Sequence, residues 1–458
     1  MDNSSEQNNG NKLVDWLKNS LTARMLVIGF LTIILLIPLN MVEELIKERA
    51  ERQKSMVSEI NDKWGDEVLI FGPILKIPYR NYKEKQIINS QNEVSTESVE
   101  EIKFLYFFPE KLNIQSSIDP ESKKRGIYKT AVYKSKTSLT GTFSQPQFKS
   151  EDIAENNIIW DKAKIIFQTS NLKGVNEQMN IQLDNSNYGF TSQYEELDYQ
   201  DQRYPRLYEM ESEILQGIDF SNKKNINFTI NLSVNGSTEI SFIPIGKTTT
   251  AQLSSNWSTS SFIGNFLPYN DNKMSNTGFN ARWKILDINR PFPQSFKDHL
   301  PNLSKFSFGV NFMIPVDEYQ KSERATKYGF LVIGLTFLLF FLIQSISKIP
   351  IHPFQYLMIG LGLVMFYTLL ISISEHSNFL NAYLIASISV IALITLYSKS
   401  IIPNWRFPIF IGISLSALYS FIYVIIQLEN YALLVGSIGL FIILASVMYF
   451  SRKIDWNN

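Results

Sequence analysis

The sequence predicts a membrane protein of mixed α and β structure, in which one N-terminal and five C-terminal transmembrane helices flank a large β-rich domain. Two observations predict this architecture. Charge is distributed very unevenly along the 458 residues, because residues 328–458 hold only eight of the 86 charged side chains. Residues 1–327 hold the other 78 and include most of the short strand-like runs. The mean hydropathy of −0.05, typical of a soluble protein, therefore averages a polar region with a membrane region.

Six apolar segments are long enough to be transmembrane helices, since about 20 residues of helix cross about 30 Å of hydrocarbon. They are residues 25–42, 328–346, 353–374, 379–397, 407–427 and 431–450. The first segment resembles a signal peptide, but no small-residue cleavage pattern follows Asn40 and the chain continues directly into Glu43 and Glu44. We therefore interpret it as an uncleaved signal anchor.

The orientation follows from the Lys and Arg residues of the short loops, which concentrate on the cytoplasmic side of a membrane. The two short loops on one side, residues 375–378 and 428–430, contain no Lys or Arg. The segments on the other side carry eight: Lys12, Lys18, Arg24, Lys348, Lys399, Arg406, Arg452 and Lys453. These counts place both termini in the cytoplasm. The predicted division is a cytoplasmic N-terminus (1–24), the anchor (25–42), an exported β-rich domain (43–327), a five-helix transmembrane bundle (328–450) and a cytoplasmic C-terminus (451–458).

The exported domain begins with helical patterning and continues mainly with strand patterning. Apolar residues at helical spacing and pairs of opposite charge four residues apart predict that the anchor helix extends through residues 42–60. Gly65 then ends the helical pattern. Runs rich in β-branched and aromatic residues predict strands at residues 102–107, 164–167 and 225–231. Many short strands separated by turn residues favour a sandwich-like or otherwise β-rich fold.

Three local features of this domain are also predicted. Asn235 and Gly236 form a dipeptide typical of a tight hairpin turn, placed before a second apolar run. Residues 208–215 are expected to form a short helix. Residues 83–100 and 144–157 are polar enough to be loops.

Composition excludes several classes of function. The chain has no cysteine, so disulfides, thiolate zinc sites, iron–sulfur clusters and cysteine nucleophiles are excluded. The 43 basic and 43 acidic residues balance, which argues against a nucleic-acid partner. Gly246-Lys247-Thr248 resembles the end of a phosphate-binding loop, but Ser241 stands where that motif needs a glycine. We therefore predict no cofactor and assign no catalytic or metal-binding residue.

One polar cluster stands out as a candidate functional site. Glu375 and His376 lie in one outer loop and Glu429 lies in the other, so the three side chains are expected to converge at the membrane boundary. A carboxylate beside an imidazole can relay protons, bind a metal or hold a cationic group of a ligand. The structural alternative is that Glu375 pairs with a lysine or arginine of the exported domain.

The spans contain no Asp, Glu, Lys, Arg or His in their interiors, where ion-coupled transporters and intramembrane hydrolases usually place such groups. This absence predicts a bundle that acts as a scaffold. The glycines of the spans are expected to permit close helix packing rather than the passage of a ligand. These are Gly334, Gly360, Gly412 and Gly436.

Ordered motifs along nearly the whole chain resemble one family, the CreD inner-membrane cell-envelope integrity proteins of Gram-negative bacteria. The blocks that carry this resemblance are Ile60-x-x-Lys63-Trp64-Gly65, Gly72-Pro73-Ile74-Leu75-x-Ile77-Pro78-Tyr79, Arg125-Gly126-Ile127-Tyr128, Ser261-Phe262-x-Gly264-x-Phe266-Leu267-Pro268, Gly278-Phe279-x-Ala281-x-Trp283, Asn289-Arg290, Pro315-Val316-Asp317, Ile351-His352-Pro353, Ser374-Glu375-His376 and Arg452-Lys453-Ile454-Asp455-Trp456. Ser258-Thr259 departs from the family pattern, which has a proline-containing stretch there.

The resemblance implies a multi-pass protein of the bacterial inner membrane whose β-rich domain is periplasmic. It also implies a role in envelope integrity, in tolerance of envelope-directed colicins and in a stress response controlled by a sensor kinase. We expect non-catalytic binding of an envelope protein, a lipid or peptidoglycan, in addition to contact with the lipid bilayer. Two alternatives remain: a lipid or small-solute transporter, and an enzyme that acts on lipid or peptidoglycan at the outer leaflet through Glu375, His376 and Glu429.

Overall fold

The computed structural model describes residues 21–88, 94–148, 153–193, 205–218, 220, 223–312, 318–347, 349–402, 404–428 and 431–452. The chain divides into two compact units. The first, called the membrane unit below, comprises residues 1–54 and 316–458. The second, called the β unit, comprises residues 55–315.

The membrane unit is built from helices, the first of which ends in the β unit, at residues 55–64. They are α1 (Leu21–Trp64), α2 (Glu318–Lys327), α3 (Gly329–Ser347), α4 (Pro353–Ser374), α5 (Phe379–Ile401), α6 (Arg406–Gln427) and α7 (Ala432–Ser451). All except α2 are long and apolar enough to span a membrane, which confirms the predicted arrangement of one N-terminal and five C-terminal spans. The α1 helix continues without a break to Trp64, as predicted, and Gly65 follows it with a φ of +150°.

Two of the four span glycines lie at close helix contacts. A Cβ atom on Gly360 of α4 would lie 2.1 Å from Leu35 Cδ1 of α1, and one on Gly412 of α6 would lie 2.8 Å from Thr395 Oγ1 of α5. Gly436 makes only an ordinary contact, and the space around Gly334 is open. The packing expectation is therefore wrong for Gly334, since no atom of the described residues lies within 4 Å of a Cβ atom placed there, apart from its own helix turn.

The β unit contains sixteen strands in the described ranges. They are β1 (Val68–Ile88), β2 (Val94–Phe107), β3 (Lys111–Arg125), β4 (Tyr128–Ser144), β5 (Lys164–Thr169), β6 (Asn180–Leu183), β7 (Ser186–Ser192), β8 (Tyr208–Ser212), β9 (Asn225–Ser237), β10 (Glu239–Phe242), β11 (Thr248–Ser255), β12 (Ser260–Gly264), β13 (Met274–Ser275), β14 (Gly278–Leu286), β15 (Ser295–Lys297) and β16 (Phe308–Phe312). The predicted β-rich domain between the spans is confirmed.

The strands form two sheets that share one hydrophobic core. The main strand order is β12-β16-β10-β1-β5-β8-β7-β6-β9-β4-β3-β11-β14-β13, and β7 joins the sheets because it pairs with β8 on one side and β6 on the other. Aromatic rings from the two sheets meet in the core: Tyr133 of β4 and Phe312 of β16 have centroids 5.3 Å apart, as do Trp283 of β14 and Phe308 of β16. Two sheets packed face to face on a shared core resemble the sandwich-like fold that the sequence predicts.

The predicted hairpin at Asn235 and Gly236 is wrong. Both residues lie inside β9, where Gly236 is opposite Tyr133 of β4. A Cβ atom on Gly236 would lie 2.2 Å from the Tyr133 hydroxyl oxygen, so glycine is needed here to admit a ring rather than to form a turn. The chain instead turns at Thr238, with a φ of +54°, and moves from the β4 sheet into β10 beside β1.

The predicted helix at residues 208–215 is also wrong, because residues 208–212 form β8. Met210 is opposite Phe167 of β5 and is buried. Pairing with strands on both sides outweighs the helical preference of the local sequence.

The loop prediction at residues 83–100 is wrong for the residues that the structure describes, because 83–88 belong to β1 and 94–100 belong to β2, while 89–93 lie outside the described residues. Charges pair across these two antiparallel strands, with Lys83 Nζ 2.7 Å from Glu101 Oε2 and Arg80 Nε 3.2 Å from Glu100 Oε1. A two-stranded ribbon exposed to water on both faces shows no alternation of apolar residues, so its sequence looks like a loop. In the 144–157 segment, residues 149–152 lie outside the described residues, and the rest is irregular apart from Ser144 and a short 3-10 turn.

Candidate functional site

The candidate cluster begins where α4 ends. Ser374 is buried, and its hydroxyl donates a hydrogen bond to the Ile371 carbonyl oxygen 3.0 Å away. Glu375 is the first residue beyond the helix, and the backbone N–H of His376 still donates to the Ile373 carbonyl. Within three residues the chain passes from a buried helix to a connecting loop. Glu375 and His376, the two candidate residues here, lie at the start of that loop.

Glu375 forms an ion pair with Arg49 of α1. The Arg49 Nε atom lies 3.6 Å from Glu375 Oε1, and the exposed fractions of the two side chains are 36% and 16%. Arg49 lies in the helical segment that the sequence placed at the start of the exported domain, so the structure shows the pairing that the structural alternative describes. The pair connects the end of α4 to α1, which is distant in sequence.

The sequence contained a signal for Arg49 that the motif analysis missed. In the segment after the anchor, Glu43 and Lys47 lie one helical turn apart and form an ion pair 2.8 Å long. Arg49 has no carboxylate at a helical distance, since residues 45, 46, 52 and 53 are Leu, Ile, Arg and Gln. A cation without a local partner on a helix is a candidate for a long-range partner.

The convergence of the three candidate residues stays a prediction, because Glu429 lies outside the described residues. His376 is exposed. Among the described residues, no three His, Asp or Glu side chains are arranged to hold a metal ion.

The membrane unit contains a large cavity between α3, α6 and α7, with a volume of about 1020 Å³. Its walls are mainly aliphatic and aromatic, and two of the hydroxyls that line it bond to their own helix. Thr336 Oγ1 donates to the Val332 carbonyl at 2.6 Å, and Ser446 Oγ donates to the Ile442 carbonyl at 2.8 Å. The alternative of a lipid or small-solute transporter predicts a polar cavity that reaches the middle of the membrane, whereas this cavity is lined mainly by apolar side chains.

The β unit contains a cluster of charged residues that the sequence analysis did not identify. Lys76 Nζ lies 2.6 Å from Glu211 Oε1 and 3.3 Å from Glu209 Oε1, and Lys164 Nζ lies 2.6 Å from Glu211 Oε2. Burial alone would raise the pKa of Glu211, but hydrogen bonds from Lys164 and Lys76 outweigh it and leave the pKa below its usual value. Because each of these charges has a partner of opposite sign, the cluster is best explained as stabilising the fold of the β unit.

Arg290, which belongs to one of the quoted motifs, has a similar structural role. It is 5% exposed, and its guanidinium donates to the carbonyl oxygens of Phe292 and Ile245 and to the side chain of Gln294. Burial lowers its pKa to about 10. Arg290 also lines a cavity of about 620 Å³, but its hydrogen bonds go to backbone carbonyls and an amide, so packing explains the motif.

Buried packing also explains the motif that begins at Gly72. It lies in β1, and a Cβ atom on Gly72 would come within 2.7 Å of the Phe167 ring. The motif around residues 261–268 is more exposed: Leu267 is 73% exposed, while the Phe266 carbonyl accepts a hydrogen bond from the indole of the buried Trp283.

Comparisons with known proteins agree with this architecture. The family described as "Inner membrane protein CreD" matches residues 20–457. A curated relative with the same name, from Escherichia coli (strain K12), is 27% identical over 457 residues, and the match covers 96% of this chain and 94% of the relative. The chain therefore belongs to the CreD family of inner membrane proteins.

Proposed function

We propose that this protein supports the integrity of the cell envelope, including tolerance of envelope stress and colicins, by non-catalytic binding of an envelope component or partner protein. Membership of the CreD family across nearly the whole chain is the observation that carries this proposal. The ion pair between Arg49 and Glu375 also supports it, because the candidate carboxylate already has a structural partner.

The proposed placement is multi-pass in the bacterial inner membrane, with both termini in the cytoplasm and the β unit in the periplasm. The distribution of Lys and Arg in the short loops supports this orientation. Reporter fusions at residue 377 and at the C-terminus test it: the first is expected to be periplasmic and the second cytoplasmic. A cytoplasmic reporter at residue 377 would overturn the orientation.

Deletion of the gene in its native host tests the function. The deletion strain is expected to become more sensitive to detergent, β-lactam or colicin, and the wild-type gene is expected to restore resistance. Crosslinking of the β unit in living cells, followed by identification of the captured molecule, is then expected to yield an envelope component. If deletion changes none of the three sensitivities, the proposal is wrong.

Substitutions in the candidate cluster separate the binding role from the enzymatic alternative. Glu375→Ala, His376→Ala and Glu429→Ala are each expected to complement the deletion strain. Glu323→Ala is a matched control, because Glu323 pairs with Lys327 at 3.0 Å elsewhere in the membrane unit. Loss of complementation in all three cluster variants, with normal protein levels and a normal control, would favour an enzyme.

A further inference from the structure

The cavity between α3, α6 and α7 has the shape of a site for lipid chains. It follows α6 from Arg406 to Phe421, about 22 Å at 1.5 Å per residue, and follows α3 from Leu335 to Ile346, about 16 Å. One leaflet of hydrocarbon is about 15 Å deep, half of a core of about 30 Å. The cavity is therefore long enough to hold acyl chains that enter from one side of the membrane.

The size and walls of the cavity suit the same occupant. Its volume of about 1020 Å³ is at the upper end of the range of roughly 300–1,000 Å³ that is usual for small-molecule sites. Each of the three helices contributes one wall, with Leu342 on α3, Phe410 on α6 and Ile442 on α7 among the lining residues. Ile442 is 58% exposed, so the α7 wall of the cavity is accessible from outside the protein.

One end of the cavity carries a positive charge. Arg406 contributes to the lining where α6 begins, beside Ile346 near the end of α3 and Phe450 near the end of α7. Among the described residues, no carboxylate forms an ion pair with Arg406, whose backbone N–H bonds to Asn404 Oδ1 at 3.1 Å. A guanidinium binds phosphate through two parallel hydrogen bonds, and basic pockets between transmembrane helices bind anionic lipid headgroups.

We propose that this cavity binds an anionic phospholipid, with its acyl chains between α3, α6 and α7 and its headgroup phosphate on Arg406. Charge complementarity favours an anionic lipid over a zwitterionic one, because no carboxylate in the described part of the chain pairs with the guanidinium. The inference goes beyond the proposed function and does not depend on it, since lipid binding is measured on the purified protein without an envelope phenotype.

The test uses the full-length protein, purified in mild detergent and titrated with dioleoyl phosphatidylglycerol or dioleoyl phosphatidylethanolamine, with bound lipid counted by native mass spectrometry. The wild type is expected to hold one phosphatidylglycerol per chain in preference to phosphatidylethanolamine. Arg406→Gln is expected to weaken phosphatidylglycerol binding about tenfold, which corresponds to about 1.4 kcal/mol, because the variant loses a charged hydrogen bond to the phosphate. Its effect on phosphatidylethanolamine is expected to be smaller.

Two matched controls make the result specific. Arg452→Gln removes a positive charge just beyond α7 that does not line the cavity, and it is expected to leave binding unchanged. Ser414→Phe fills the cavity and is expected to weaken the binding of both lipids, whereas Ser416→Phe, on an exposed position of the same helix outside the cavity, is expected to weaken neither. Unchanged circular dichroism and elution volume show that each variant is folded.

The remaining outcomes overturn the proposal. Equal affinity for the two lipids would remove the headgroup assignment, and equal loss in Arg406→Gln and Arg452→Gln would indicate general attraction to a charged surface. Normal lipid binding in Ser414→Phe would place the lipid elsewhere. Absence of bound lipid, with a dimer instead of a monomer, would mean that a second copy of the chain covers the cavity.

Discussion

The β unit and the membrane unit satisfy their buried polar groups in different ways. In the β unit, Lys76 and Arg290 are largely withdrawn from water and are held by carboxylates, carbonyls and an amide. In the membrane unit, two hydrogen bonds between helices join neutral groups: the Tyr356 hydroxyl donates to Gln344 Oε1, and the Tyr383 hydroxyl donates to the Tyr419 carbonyl, both at 2.8 Å. The ion pair between Arg49 and Glu375 lies beyond the end of α4.

The difference reflects the cost of a charge in each environment. A charged side chain in the centre of a bilayer is expensive even when it is paired, whereas a water-soluble domain can bury a few charges if every one is bonded. The comparison therefore predicts that loss of one buried charge destabilises the β unit strongly. It predicts that the membrane unit depends on close packing instead.

Arg290→Met should give the largest loss of stability. It leaves the Phe292 carbonyl and the Gln294 side-chain oxygen without their guanidinium donor, while the Ile245 carbonyl keeps only its bond from Gln294 Nε2, and we expect the free energy of unfolding to fall by about 3 kcal/mol. Denaturant unfolding of the full-length protein in mild detergent, followed by tryptophan fluorescence, measures this loss. Arg282→Met, at an exposed position of β14, is the control and should change stability by less than about 0.5 kcal/mol. Equal stabilities of the two variants would show that the buried charge is dispensable.

Gly360→Val tests whether packing has the corresponding role in the membrane unit. The new side chain would collide with Leu35 Cδ1, and we expect a loss of about 2 kcal/mol, typical of overpacking. Gly334→Val is the matched control, because the space around Gly334 is open. Thermal unfolding in detergent compares the two, and Leu35→Ala should partly rescue Gly360→Val. If Gly334→Val is as harmful as Gly360→Val, valine in the helix rather than the α1 contact is the cause.

The two units also differ in how far their sequences predict them. The spans were predictable because crossing the hydrocarbon imposes a length and an apolar composition, so the predicted 353–374 and the observed Pro353–Ser374 coincide. The strands at Ile102–Phe107 and Asn225–Asn231 were also predictable, because β propensity is a property of the local sequence. The strand at residues 208–212 was not, because it depends on pairing with β5, which is distant in sequence. The strands at 83–88 and 94–100 were not, because a ribbon exposed on both faces shows no alternation of apolar residues.

The candidate site was predictable only in part. Ser374-Glu375-His376 was visible in the sequence as a polar interruption between two spans. Arg49, 326 positions before Glu375, was not assigned as its partner, because the contact depends on how α1 packs against the other helices. Gly236 shows the same limit in the β unit: a glycine that admits the Tyr133 ring has the same local sequence as a glycine in a turn.

Glu239→Gln should change the pH dependence of the β unit. Burial, reinforced by the nearby Glu67 carboxylate, raises the pKa of Glu239 to about 7 from a usual value of 4.5. The folded state therefore binds this proton more tightly than the unfolded state, and stability falls as the pH rises from about 4.5 to 7. With allowance for solvent screening, we expect a loss of about 1–2 kcal/mol across this window.

Unfolding free energies measured at several pH values between 4 and 8 test this assignment. Glu239→Gln should flatten the fall between pH 4.5 and 7 and should be more stable than the wild type at pH 8. Glu155→Gln, at an exposed position, should keep the wild-type profile. A fall of unchanged size in Glu239→Gln would assign the pH dependence to other groups.

The ion pair between Arg49 and Glu375 should give the smallest effect on stability. Its coupling energy shows whether the pair behaves like a solvent-exposed ion pair or like a buried one. The 3.6 Å distance and the one-third exposure of Arg49 predict a coupling energy of about 0.5–1 kcal/mol, close to that of surface pairs. A double-mutant cycle with Arg49→Gln, Glu375→Gln and the combined variant measures it by thermal unfolding, and Lys47→Gln with Glu43→Gln provides a reference pair within α1. A coupling near 3 kcal/mol would mean that the pair behaves like the buried charges of the β unit. A coupling of zero would free Glu375 for the ligand-binding role that its position beside His376 first suggested.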